Sequence, residues 1–96
     1  MKIKQKSIKS SNWARRTKRS CPTCYKECIE LAQLLRDKVY EGVTFYHNDD
    51  AGIWQWSILP YDVFLPTKWN GFWLDSFPTK RQAVECCREM KWKILK

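Results

Sequence analysis

Glycine is scarce in this sequence, and so is histidine. Three glycines in 96 residues leave little backbone able to cradle a phosphate, and neither a glycine-rich phosphate loop nor a nucleophile elbow occurs. The one histidine, His47, stands in a strand pattern beside Asn48, Asp49 and Asp50. A lone imidazole next to turn carboxylates is more often a solvated neighbour than a general base. No apolar run approaches the roughly 20 residues needed to cross a bilayer. The basic N-terminus also lacks the apolar core of a secretory signal. Only one Cys-x-x-Cys occurs, at Cys21 and Cys24, so half of the usual zinc signature is missing. These absences predict a protein that is not an enzyme, needs no cofactor and stays off membranes. The expected compartment is the cytoplasm, or the nucleus of a eukaryotic host.

Acidic residues are absent from the first 20 positions, which hold Lys2, Lys4, Lys6, Lys9, Arg15, Arg16, Lys18 and Arg19. The other ten Lys or Arg are matched by ten Asp or Glu, so the whole net charge of +8 lies in this segment. Residues 1–20 show no helical or strand periodicity and read as a flexible polybasic arm. Residues 21–96 read as a single small domain. With 44% hydrophobic and 15% aromatic residues in the chain, burial can offset the entropy of ordering it.

Behind the arm, Ser20 or Cys21 is placed to cap a helix that Pro22 opens and Gly42 ends. Cys24, Cys28, Leu31, Leu35 and Val39 recur at spacings of three and four and form one apolar stripe. From Val43 the period becomes two. Residues 43–48 and 53–59 predict strands joined by a turn at 49–52, with Trp54, Trp56 and Ile58 on one face. Residues 60–71, with two prolines and a glycine, read as a long loop; 72–77 read as a third strand. A last helix follows at 78–92, with Thr79 as cap and Ala83, Val84, Cys87 and Met90 facing inward, leaving room for a short strand at 93–96. The expected fold is α+β, in the order α-β-β-β-α: a three-stranded antiparallel sheet with two helices on one face, preceded by the arm.

Three readings compete for the cysteines. Cys21, Cys24 and Cys28, with Cys86 from the last helix, would make a four-thiolate zinc site. The stretch SCPTC resembles the active-site turn of thioredoxin-like proteins, which implies Cys21 as a nucleophile activated at a helix N-terminus. The third reading treats cysteine as a small hydrophobe. Only this one predicts that Cys24 and Cys28 share a stripe with Leu31 and Leu35, and Cys87 one with Val84 and Met90. Core thiols, reduced and without metal, are therefore the expectation.

Function is carried by charge and aromatics. Trp13 with Arg15, Arg16, Lys18 and Arg19 combines cations for phosphates with a ring for base stacking. At the other end, the helix start TKRQA, residues 79–83, resembles that of the last helix in double-stranded RNA-binding domains. The α-β-β-β-α order over about residues 22–92 is similar to that family too. The resemblance implies that Lys80 and Arg81 bridge phosphates across the major groove. The resulting expectation is non-catalytic nucleic-acid binding, RNA slightly ahead of DNA. A second expectation places a protein-binding hot spot at Trp69 with Tyr61 and Phe64, in a proline-bounded loop. In that case the chain is similar to small phage or mobile-element inhibitors of the anti-CRISPR or anti-restriction kind. Its partner would be a nucleic-acid enzyme or a ribonucleoprotein.

Overall fold

Ser11 ends a 3₁₀ turn at Ile8–Ser10 and caps the helix that follows, its Oγ accepting from the Ala14 amide at 3.1 Å. In the computed structural model, which describes residues 7–50 and 52–95, this helix is α1, Asn12–Ser20. After it come α2 (Tyr25–Arg36), β1 (Gly42–His47), β2 (Trp56–Tyr61), β3 (Asp75–Phe77) and α3 (Lys80–Met90). The strands form one antiparallel sheet in the order β1-β2-β3. The fold is α+β with the expected α-β-β-β-α order, and one more helix stands in front of it.

That extra helix corrects the reading of residues 1–20 as a flexible arm. Residues 1–6, with Lys2, Lys4 and Lys6, lie outside the described residues. From Ser7 onward the segment belongs to the domain. Trp13, Ala14 and Thr17 fall on one face of α1 and are buried, as is Ile8. Trp13 is 1% exposed. Its indole N–H donates to the Leu74 carbonyl at 2.9 Å, and its ring meets Trp92 edge-on with centroids 5.2 Å apart. A short helix needs only a narrow apolar stripe to dock, and flanking arginines conceal such a stripe in the sequence.

The helix expected to run to Gly42 stops at Arg36. The left-handed residue after it is Lys38 (φ 62°), and Val39 is exposed rather than part of the stripe. Gly42 has another task. A Cβ there would collide with the Lys93 carbonyl, because the C-terminal segment runs alongside β1. Val43 donates to Lys93 O at 2.8 Å and accepts from Leu95 N at 2.9 Å, a parallel bridge where a short strand was expected. Gly42→Ala should therefore cost about 1–3 kcal/mol through forced backbone movement. Urea unfolding would measure it, and an unchanged midpoint would refute the close approach.

The hairpin is wider than the four-residue turn expected. His47 pairs with Trp56, and Asn48 N donates to Gln55 O at 2.8 Å. Because β2 begins only at Trp56, the period of two does not extend back to Trp54. Alternation then gives the sheet two unlike faces. Val43, Phe45, Trp56, Ile58 and Phe77 point toward the helices, where α3 packs on β2 and β3. Thr44, Tyr46, Ser57, Leu59 and Ser76 point the other way, with the Ser57 and Ser76 hydroxyls 2.9 Å apart. Behind the inner face, Trp92 N–H donates to Ala32 O and Arg36 Nε to Met90 O, tying α2 to the end of α3.

Cys28, Cys86 and Cys87 are free thiols buried in this core; the apolar stripes predict this for Cys28 and Cys87 but not for Cys86. Cys21 and Cys24 are instead joined as a disulfide in the turn before α2, which corrects the reduced state expected for that pair. Pro22 sits in this turn, and the helix opens at Tyr25. Burial first, then the charges of Glu27 and Asp75, pushes the Cys28 thiol up to about 11. Burial, reinforced by Asp75 and Cys87, pushes Cys86 up to about 12; burial alone does the same for Cys87. In the unfolded chain these thiols ionise near their ordinary value of 9.0. Their contribution to stability is therefore complete below about pH 9 and is lost as pH rises toward 11–12. Urea unfolding should show stability falling from about pH 9 upward, with native thiolate absorbance appearing only beyond it. Thiolate absorbance in the folded protein at pH 9 would contradict this placement. Among the described residues no helix is long and apolar enough to cross a membrane.

Candidate nucleic-acid interface

Burying Trp13, Ala14 and Thr17 forces the opposite side of α1 outward, and that side is cationic. Arg15, Lys18 and Arg19 are exposed along it and, with Asn12 and Arg16, line a shallow depression. Arg16 is anchored: Nη2 lies 3.0 Å from Asp75 Oδ2, and the guanidinium sits over the Phe77 ring at 5.7 Å. Burial by itself lowers the Arg16 pKa, but the Asp75 pair outweighs it and the net shift is upward. Among the described residues neither Arg15, Lys18 nor Arg19 is paired with a carboxylate. Lys18 instead lies over the Tyr25 ring at 5.8 Å. Three such charges held side by side on a packed helix repel one another and favour an anion laid across them.

Lys80 and Arg81 do not join that depression. The Lys80 ammonium is directed over the rings of Trp56 and Phe45, at 5.8 and 6.0 Å, and Arg81 pairs with Glu85 at 3.3 Å. A second cationic group forms where α2 and α3 end, joining the basic C-terminal stretch, with Arg88, Lys91 and Lys93, to the end of α2. There Lys38, Arg88, Lys91 and Lys93 surround Trp92 together with Arg36. Lys91 is the left-handed cap of α3, and Arg36 satisfies the Met90 carbonyl. Cations at two helix C-termini offset the negative ends of both dipoles, so this group has a structural reason to exist. Each lysine sits near its own helix end in the sequence; only the tertiary fold brings the two ends together.

The aromatics are sorted differently from expectation. Trp13 is a core residue and offers no ring to a base. Trp69 is also core, 1% exposed, donating to Tyr40 Oη at 3.1 Å with its ring edge-on to Phe72 at 5.2 Å. A 3₁₀ turn at Thr67–Trp69 folds it inward. Tyr61, at the end of β2, and Phe64 are exposed as expected; the loop that follows β2 is fastened by Asp62 and Glu41 through the amides of Glu41, Phe64 and Val63. The exposed tryptophans are Trp54 and Trp73, which with Tyr46 and Leu59 line a groove of about 520 Å³ on the open face of the sheet. The signal for this lay in the outward register of Tyr46, Ser57 and Ser76, once β2 is begun at Trp56.

Trp54 and Trp73 also line a cleft of about 290 Å³ that is bounded by Arg16, Thr17 and Ser20 of α1 and by the Cys21–Cys24 disulfide. The open face and the cationic helix are therefore neighbours. Asp49 and Asp50 lie at the hairpin end, Asp49 3.4 Å from His47. Cys21, Cys24, Cys28 and Cys86 are not gathered as a ligand set; among the described residues no three His, Cys, Asp or Glu are placed to hold a metal ion. Compared with protein-family models, curated proteins and solved structures, the chain matches none.

Proposed function

We propose that this protein is a non-catalytic nucleic-acid-binding domain that grips phosphates with the outer side of α1. The observation that carries the reading is the row Arg15, Lys18 and Arg19, exposed, without acidic partners among the described residues and held on a helix that Trp13 locks to the core. Phosphate oxygens are the acceptors such a row suits, and neutralising them releases counterions. Lys80 and Arg81 supply a separate contact, and the TKRQA resemblance favours RNA slightly over DNA. Two departures from the double-stranded RNA-binding pattern count against duplex RNA. Val84 stands where that family carries a further lysine, and the hairpin HNDDAG is acidic. The test is a salt series of RNA and DNA binding, comparing the full chain with Arg15→Ala/Lys18→Ala/Arg19→Ala and with Lys80→Ala/Arg81→Ala. Affinity independent of all five cations would sink the reading.

A second reading is favoured by Tyr61 at the end of β2 with Val63 and Phe64 of the loop after it, of which Phe64 is 87% exposed. Three neighbouring apolar side chains at a loop pinned by Asp62 suit a protein partner, such as a nucleic-acid enzyme or ribonucleoprotein that the chain inhibits or adapts. With a net charge of +8, such an inhibitor would act by docking and not by imitating nucleic acid.

A further inference from the structure

We propose that the open face of the sheet is a base-stacking platform for single-stranded nucleic acid. Bases would lie on Tyr46, Trp54 and Trp73 while their phosphates follow α1. The proposal rests on the nucleic-acid reading above and names the form of nucleic acid that it takes.

Tyr46, Trp54 and Trp73 are 55%, 53% and 62% exposed. Leaving three large rings in water forgoes the burial that Trp13, Trp69 and Trp92 obtain. All three line one groove of about 520 Å³, together with Ser57, Leu59 and Ser76. Its lining combines three aromatic rings with the hydroxyls of Ser57 and Ser76, a composition suited to the flat face and polar edge of a base. A duplex keeps its base faces stacked on one another and has none to offer. A single strand does, and stacking on aromatics accepts every base.

Charge decides between this occupant and a protein. Trp54 and Trp73 line the cleft that reaches Arg16, Thr17 and Ser20, and Arg16 also borders the depression lined by Arg15, Lys18 and Arg19. Asp75, the acid nearest this junction, is taken up by Arg16. At the other end Asp49 and Asp50 repel a phosphate track. The strand therefore leaves the platform toward α1 and not past the hairpin.

The test measures binding of labelled oligo-U, oligo-dT and an equal-length duplex to the full chain, with salt varied. Trp73→Ala and Trp54→Ala, both at exposed positions, should keep the melting temperature within a few degrees. Each should weaken single-strand binding about tenfold or more, with Trp73→Phe retaining most of the affinity. The salt slope should stay unchanged, because neither ring touches a phosphate. Oligo-U against oligo-dT separates RNA from DNA. If Trp73→Ala melts early, Trp54→Ala and quenching of wild-type indole fluorescence by oligo-dT decide the same point. Single-strand affinity that survives both alanine changes while still depending on α1 overturns the platform and leaves the phosphate grip standing. The face would then belong to a protein partner. No binding of any oligonucleotide overturns both.

Discussion

Trp13→Ala should destabilise the protein by about 3–5 kcal/mol, the range for removing a buried aromatic from a core. Native domains hold only about 5–15 kcal/mol in total, so the change removes a large share of the stability and should lower the melting temperature markedly. The size follows from what the ring joins. It is buried to 1%, donates to Leu74 O and packs edge-on against Trp92, which itself donates to Ala32 O. Its loss leaves a cavity between α1, α2 and the chain entering β3, and orphans the Leu74 carbonyl. Deleting residues 1–20 should act at least as strongly, since Ile8 and Ala14 leave the core as well. Arg15→Ala, on the same helix but exposed, should stay within about 0.5 kcal/mol. Urea unfolding of these variants makes the comparison. A Trp13→Ala protein as stable as wild type would mean that α1 is not docked.

Arg15→Ala/Lys18→Ala/Arg19→Ala should lower nucleic-acid affinity more than any other change that leaves the fold intact. Removing three cations from the phosphates of a single strand flattens the slope of log affinity against log salt by about two units, at roughly 0.7 per phosphate. The effect should be similar for different base sequences, because phosphate contacts carry no sequence information. Lys80→Ala/Arg81→Ala should act in the same direction but less. Arg81 is engaged with Glu85, and Lys80 leans over Trp56. Stability should hardly move in the triple variant, since none of the three side chains pairs with an acid among the described residues. An unchanged salt slope would remove α1 from the interface and bring forward the surface of Tyr61 and Phe64.

The local patterns of the chain were sufficient for the class of fold. The period of two in residues 43–47 and 56–59, Thr79 before Lys80, and the stripe Cys28, Leu31, Leu35 each express geometry spanning one or two turns of chain. So does the burial of Cys87 and Met90. Such features are set by neighbours within four residues; the Thr79 cap and the middle of the stripe came out where the sequence placed them, while the strands expected at 43–48 and 53–59 formed at Gly42–His47 and Trp56–Tyr61. The net charge of +8 and the absence of acids before residue 21 likewise depend on nothing but the sequence.

Which aromatic is core and which is surface was decided by partners distant in the chain. Trp13 is buried by Leu74 and Trp92, 61 and 79 positions away, and its surroundings of arginine and lysine gave no sign of it. Trp69 and Trp73 share one loop and similar neighbours. One turns in to Tyr40, and the other stays out beside Trp54. Gly42 is glycine because Lys93 passes over it, not because a helix ends there. The composition alone determined how much aromatic surface, 15% of the residues, this small domain had to place. Only the tertiary structure decided which rings remain in water, because burial is a property of the assembled core and not of the residue.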